Sequence, residues 1–186
     1  MALGLSIVIP HYMALPGKAK LLSRCIESLQ GHDELIVIGH NDKSLPWAIN
    51  QGARASRQQN ILILSDDMFL SEGSLADLAH PRYVTHPLVN GVRELFGGAI
   101  CYPRWVFLAM QGYDERFLQG FFDDDDAIKR AEAITERRIV PWVNVAHPQP
   151  SSTLGQLSTS ETWNHNKALF ESIHGEWSVC LSPPDL

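Results

Sequence analysis

Ile61-Leu62-Ile63-Leu64-Ser65-Asp66-Asp67 is a continuous apolar run that breaks off in two adjacent carboxylates. Branched aliphatic residues without polar alternation describe a strand covered on both faces, the usual condition of a parallel sheet. Two earlier runs have the same character, Leu5-Ser6-Ile7-Val8-Ile9-Pro10 and Leu35-Ile36-Val37-Ile38-Gly39. After the first, Leu21, Leu22, Cys25, Ile26 and Leu29 repeat at helical spacing and Gly31 stops the pattern. After the second, Ser44 and Pro46 open a helix through Ala48, Ile49, Ala53 and Ser56. Three such strands alternating with two helices predict right-handed βαβ units in a sheet flanked by helices. Ligands of these sheets gather beyond the carboxyl ends of the strands, which here means residues 10–13, 39–42 and 65–68.

The remainder has a different rhythm. A helix is expected at 74–79, an irregular strand or loop at 83–90, and a strand at 95–102. Pro103 stands at the first position of a helix whose apolar face is Trp105, Leu108 and Ala109, with Gly112 as its stop. Gly120-Phe121-Phe122-Asp123-Asp124-Asp125-Asp126 precedes Ala127, Ile128, Ala131 and Ile134 at helical spacing, so the four aspartates occupy a helix N-terminus. A last strand is expected at 139–145, with His147 just beyond it. Ser158-Thr159-Ser160-Glu161 reads as a capping box for a terminal helix through Trp163, Phe170 and Ile173.

The 186 residues carry 15 Lys plus Arg against 21 Asp plus Glu, and 45% are hydrophobic, which describes an ordinary globular domain rather than a disordered tail or coiled coil. One domain over 1–186 is expected, with a ligand-binding half at 1–68, a second half at 69–150 and a helical tail at 151–186. A net charge of −6 without a basic run excludes a nucleic-acid-binding patch. Cys25, Cys101 and Cys180 are widely separated, which suits neither a zinc cluster nor a disulfide framework and fits the reducing cytoplasm. The apolar start is too short for a membrane span and lacks the flanks of a signal peptide, and no other window approaches spanning length. Composition says nothing of oligomeric state.

Two adjacent carboxylates repel unless a cation joins them, so Asp66 and Asp67 suggest a divalent metal, although Asp also caps helices at such turns. The run 123–126 puts four like charges in one turn. A solvated acid-rich first turn is the ordinary reading, but Phe121 and Phe122 alongside suggest a partly closed site where desolvation favours a general base. His147 has the chemistry of a metal ligand or of a plain loop histidine.

In order along the chain, these pieces resemble the GT-A glycosyltransferases of the family 2 type. Ser6-Ile7-Val8-Ile9-Pro10-His11-Tyr12-Met13 is similar to the family's first strand and Pro-x-Tyr-Asn turn, with Met13 in place of Asn. Ala48-Ile49-Asn50-Gln51-Gly52-Ala53-Arg54 resembles its Ala-x-Asn-x-Gly segment, and Ser65-Asp66-Asp67 its Asp-x-Asp with Ser at the first position. Gly112-Tyr113-Asp114-Glu115-Arg116-Phe117 looks like Gly-Gly-Phe-Asp-Glu-x-Phe, and residues 123–126 with Arg130 look like Glu-Asp-x-Asp followed by Arg. Residues 166–175 with Phe170 are similar to a terminal helix of many members. At the second strand the family has Val-Asp-Asp-Gly-Ser, whereas this chain has Ile38-Gly39-His40-Asn41-Asp42.

The resemblance implies a Rossmann-like GT-A fold with a mixed, mostly parallel sheet, and a near-minimal catalytic core. It implies metal-dependent transfer of a sugar, of the hexosyltransferase type, from a nucleotide-diphosphate sugar to a hydroxyl acceptor. Inversion is expected, and retention also occurs on this fold. Asp67 and His147 would hold Mn²⁺ or Mg²⁺, and Asp124, with Asp123 as its competitor, would be the general base. Pro10, His11, Tyr12, His40, Asn41, Asp42, Asn50, Arg54, Ser65 and Asp66 would contact the donor, a UDP-sugar first among candidates. A non-catalytic nucleotide-sugar or glycan binding module of the same fold is the alternative. A nucleotidyltransferase is a further one, without the Gly-rich, Lys-containing phosphate loop after the first strand.

Overall fold

The computed structural model describes residues 3–14, 16–93, 97–118, 121–148 and 160–176. The Ser158-Thr159 half of the expected capping box, Gly120, Cys180 and the expected strand start at 95–96 lie outside them. Among the described residues seven strands form one sheet: β1 (Leu5–Tyr12), β2 (Glu34–His40), β3 (Asn60–Leu64), β4 (Phe69–Glu72), β5 (Val84–Val89), β6 (Ala99–Pro103) and β7 (Arg137–Ala146), in the order β2-β1-β3-β6-β5-β7-β4. The sheet is mixed, as expected: β1 runs parallel to β2 and β3, and β5 to β7, while β6 is antiparallel to β3 and β5, and β4 to β7.

The side-chain period of two divides each central strand between two cores. Leu5, Ile7 and Ile9 of β1 and Leu62 and Leu64 of β3 face one core with Cys25 of helix α1 (Lys18–Ser28). Val8, Ile61 and Ile63 face the other, covered by Ile49 and Ala53 of α2 (Leu45–Ala55), by Val106 and Phe107 of α3 (Arg104–Ala109), and by Ala127 and Ala131 of α4 (Asp123–Glu132). A third, aromatic cluster of Phe117, Phe122, Trp163 and Phe170 joins α5 (Ser160–His174) to the segment before α4. No helix among the described residues is long and apolar enough to cross a membrane.

Several local expectations change. The segment at 74–79 makes only a 3-10 turn, Leu75–Leu78. Of the irregular strand or loop expected at 83–90 the structure makes a strand, β5, whose register does shift between Pro87 and Leu88, where the Pro87 ring has no N–H to offer the ladder. Pro103 ends β6 and caps α3 rather than starting it. Trp105 and Leu108 are 48% and 65% exposed, and the buried face of α3 is Val106, Phe107 and Met110. The one-residue change of phase follows from the antiparallel β3–β6 pairing, which sends Tyr102 into the core below and so fixes where the helix leaves the sheet. Ile134 lies past the end of α4 and is 37% exposed.

Close approach of α2 to β1 depends on Gly52, where an added Cβ would collide with the Val8 side chain. Gly52→Ala gains about 1 kcal/mol of helix propensity, but overpacking costs about 1–3 kcal/mol. Net destabilisation in urea melts is expected, partly relieved by Val8→Ala in the same chain; strictly additive effects in that double-mutant cycle would show that the contact is not the cause.

Candidate active site

Strand order reverses at β1, because β2 follows on one side and β3 on the other. The crevice beyond the ends of β1 and β3 is therefore the switch point at which such sheets bind ligands. His11 at the end of β1 and Asp66 after β3 meet across it, Nδ1 to Oδ2 at 2.7 Å. The other oxygen of Asp66 accepts from Lys18 Nζ at 2.7 Å, and the same ammonium lies 3.5 Å from Asp67 Oδ2. Asp67 Oδ1 accepts from Ser65 Oγ at 2.8 Å and faces His147 Nε2 at 3.5 Å. All of these side chains but Ser65 are buried, Lys18 to 2% exposure. Burial pushes the Asp67 carboxyl up, but the His147 hydrogen bond, the Lys18 charge and the Ser65 hydroxyl outweigh it and bring it to about 2.

Among the described residues no group of three or more His, Cys, Asp or Glu side chains is arranged to hold a metal ion. The pair Asp67 and His147 nevertheless has suitable spacing. Two donors each about 2.1 Å from one ion stand roughly 3.0–3.5 Å apart. A hard cation held by one or two protein ligands fills its shell with water and substrate phosphate oxygens, so this donor set fits a divalent ion brought together with a diphosphate.

The second acidic group lies at the start of α4. Phe121 and Phe122 both have left-handed backbones, with φ 62° and 69°. Phe122 is gripped by the Trp163 and Phe170 rings at 4.9 and 5.7 Å between centroids. Asp126 is fully buried, accepting from Arg130 Nε at 2.9 Å and meeting His174 Nε2 at 2.8 Å. Arg130 also donates to the Gly112 carbonyl at 2.7 Å, tying the acid turn to the 112–117 turn. Asp123 is buried and Asp124 and Asp125 half-buried, so this is not a solvated first turn. Burial and the neighbouring Asp124 charge push Asp123 well up and bring Asp125 to about 7. Burial also raises Asp124, against backbone N–H groups of Asp125, Asp124 and Gly97.

One short turn joins the two acidic groups. Ser65 N–H donates to the Gly98 carbonyl at 2.7 Å, while Gly97 lies against the Asp124 carboxylate so closely that a Cβ would overlap it. Asp124 thus stands across Gly97-Gly98 from the residue that begins Ser65-Asp66-Asp67.

Other expected site residues are placed differently. Pro10 is buried within β1, and the Tyr12 ring stands edge-on to His40 at 5.5 Å on the paired strand. His40 is buried and its Nδ1 bonds the Lys43 carbonyl at 3.0 Å, while Asn41 and Asp42 are exposed. Asn50 spends its amide on the Tyr113 backbone and Glu115, and Arg54 pairs with Glu115 at 3.6 Å. Both line a separate cleft of about 660 Å³ beside the 112–116 turn, not the crevice of the aspartates. Sequence reasoning missed Lys18, Asn166 and the partnership of His174. Asn166 holds both backbone groups of Leu118 and the carbonyl of Phe121. Nothing in sequence separates Lys18 from Lys20, since only the fold turns one of them inward.

No protein-family model and no curated protein sequence matches the chain. Solved structures do match. S. aureus TarS 1–349 in complex with UDP-GlcNAc is 11% identical with a TM-score of 0.67, covering 91% of this chain and 66% of its own. The mannosyltransferase PcManGT from Pyrobaculum calidifontis, in complex with GDP-Man and Mn²⁺, is 13% identical at 0.63, covering 99% and 67%. GalNAc-T7 with UDP, GalNAc and Mn²⁺ is 13% identical at 0.60, covering 78% and 44%. The chain therefore spans between 44% and 67% of these structures. At this identity the shared property is the fold, which is of GT-A type.

The raised carboxyls carry a stability signature. Unfolded Asp titrates near about 3.9, so from there up to the folded values the folded chain binds more protons, and stability falls as pH rises from about 4 to about 7. Asp67 works in the opposite sense, its contribution fading as pH drops from about 4 toward about 2. Asp125→Asn is expected to flatten the upper limb in thermal melts across pH 5–8; an unchanged slope would show that Asp125 titrates as an ordinary surface acid.

Proposed function

We propose that the protein is a glycosyltransferase that moves a hexose from a nucleotide-diphosphate sugar to a hydroxyl acceptor with inversion. Residues 1–68 hold the donor and residues 69–150 the acceptor. The observation that carries this reading is the Gly97-Gly98 turn, with Asp124 against one glycine and Ser65 bonded to the other. A general base and a donor site must be this close for one substituent to be exchanged at one carbon. UDP- and GDP-sugars are the first donors to test, because structures of the same fold hold them. Free, buried Cys25 and Cys101 suit the reducing cytoplasm.

In this reading Pro10, His11 and Tyr12 border the donor from β1, His40, Asn41 and Asp42 lie on the base side, and Ser65 and Asp66 lie beside ribose and diphosphate. Asn50 and Arg54 support that half from α2. Asp67 and His147 hold Mn²⁺ or Mg²⁺, which when bound supplies Lewis-acid compensation of charge on the departing diphosphate. The Asp124 carboxylate accepts the acceptor hydroxyl proton as that oxygen attacks the anomeric carbon and the bond to the diphosphate oxygen breaks on the opposite face. A carboxyl raised by burial is a better proton acceptor than an exposed one, which suits Asp124 to this step. Burial keeps it raised, and Arg130 and His174 hold the turn through Asp126.

Asp124→Asn is expected to bind nucleotide diphosphate as the parent does while transfer falls by about 10²–10⁴-fold; unaltered turnover would reject the base assignment. A nucleotide at 100 times its Kd adds about 2.7 kcal/mol of stability, so UDP or GDP with Mn²⁺ should raise the melting temperature by several degrees. Asp67→Ala is expected to remove the Mn²⁺-dependent part of that rise. Retention of the full rise would place the cation elsewhere.

A further inference from the structure

Lys18 is charged, long and almost fully buried, and it is the first residue of α1, where the helix dipole disfavours a cation. A lysine in such a place needs compensation, and its ammonium lies between the two carboxylates at the switch point. Support of Asp66 alone does not account for this position. Asp66 already has His11 on its other oxygen, and the ammonium also approaches Asp67 Oδ2, the oxygen of Asp67 turned away from Ser65 and His147.

We propose that Lys18 is the resident counter-ion of the Asp66–Asp67 pair, which holds the pair against divalent cations until a nucleoside diphosphate arrives and draws the ammonium onto its phosphates. The proposal rests on the donor-site reading above and adds to it an order of events. A monovalent and a divalent cation a few ångströms apart repel strongly in a partly desolvated site, so the two compete for Asp67. A diphosphate removes the competition, because it offers the ammonium an equivalent anion and the metal further oxygens. The means of movement is local: the side chain has four rotatable carbons, and Gly17 before it has φ 82° with open space around it. Metal and diphosphate therefore bind with positive coupling, each raising the affinity of the other.

Titration of Mn²⁺ by calorimetry and by electron paramagnetic resonance, with and without UDP or GDP, tests this in the parent chain, Lys18→Met and Lys18→Gln. Gln keeps a hydrogen bond to Asp66 without the charge, which guards against a Met variant that does not fold. Expected is Mn²⁺ binding without nucleotide at least about tenfold tighter in the neutral variants. Nucleotide binding in EDTA should be correspondingly weaker, and the coupling seen in the parent reduced. Lys18→Arg, which retains charge, should resemble the parent. A lysine that only props the fold leaves the Mn²⁺ affinity of folded variants unchanged or lower, and that result overturns the proposal while leaving the donor site intact. If neither neutral variant folds, a parent that binds Mn²⁺ equally well with and without nucleotide overturns it. Failure of parent and variants alike to bind any nucleotide or Mn²⁺ overturns the donor-site reading and this proposal with it.

Discussion

Two carboxylates buried at the end of a central strand must be compensated, and much of the candidate site follows from how this chain does it. Asp66 and Asp67 sit where β3 emerges between β1 and β6, with water largely excluded. Unpaired, each would be a heavy penalty, since a buried charge that loses its partner typically costs about 3–5 kcal/mol. The chain supplies His11 from β1, Lys18 from α1, Ser65 from the same turn and His147 from beyond β7. Those four come from both ends of the sequence. The carboxylates therefore act as a side-chain junction that adds α1, which has no place in the backbone ladder, to strands the sheet already aligns.

The first half of the chain was legible because its central strands are buried on both faces, so their apolar runs are unbroken, and because Asp66 and Asp67 mark an abrupt strand end. The same reasoning found the acid turn, where Phe121 and Phe122 signalled closure. It failed where burial is partial or contacts are remote. β4 is four residues long and half exposed, too short for a period to show, and the His86 and Pro87 punctuation of β5 leaves strand and loop both open until pairing with β7 decides between them. The face of α3 was assigned one residue out of phase because Trp105 and Leu108 look like core residues and lie outside. Lys18 and Asn166 were invisible for a more general reason. A polar side chain acquires its role from what the fold brings to it, and no local pattern records that.

Charge is distributed differently in the two acidic groups although both are rich in aspartate. At Asp67, hydrogen bonds and a cation hold the carboxyl near pH 2, so it stays ionised throughout the working range. At Asp123 and Asp125 burial and the Asp124 charge push the carboxyls up, Asp125 to about 7, and burial raises Asp124. An ion-holding group and a proton-moving group need these opposite conditions. The two conditions arise here from the same residue type, a turn apart: the Lys18 ammonium lies against one pair of carboxylates, while burial outweighs the Lys129 charge at Asp125.

Phe121 and Phe122 adopt left-handed backbones that bulky residues avoid when left to themselves. What keeps them there is α5: Trp163 and Phe170 clasp the Phe122 ring, Asn166 takes the Phe121 carbonyl, and His174 reaches Asp126 from the same helix. Sheet and acids thus depend on different parts of the chain. Shortening the chain before residue 160 spares the hydrophobic layers between β1 and β7 yet unlatches the acid turn, so a truncated protein that passes every test of foldedness would still have lost the arrangement of its acids.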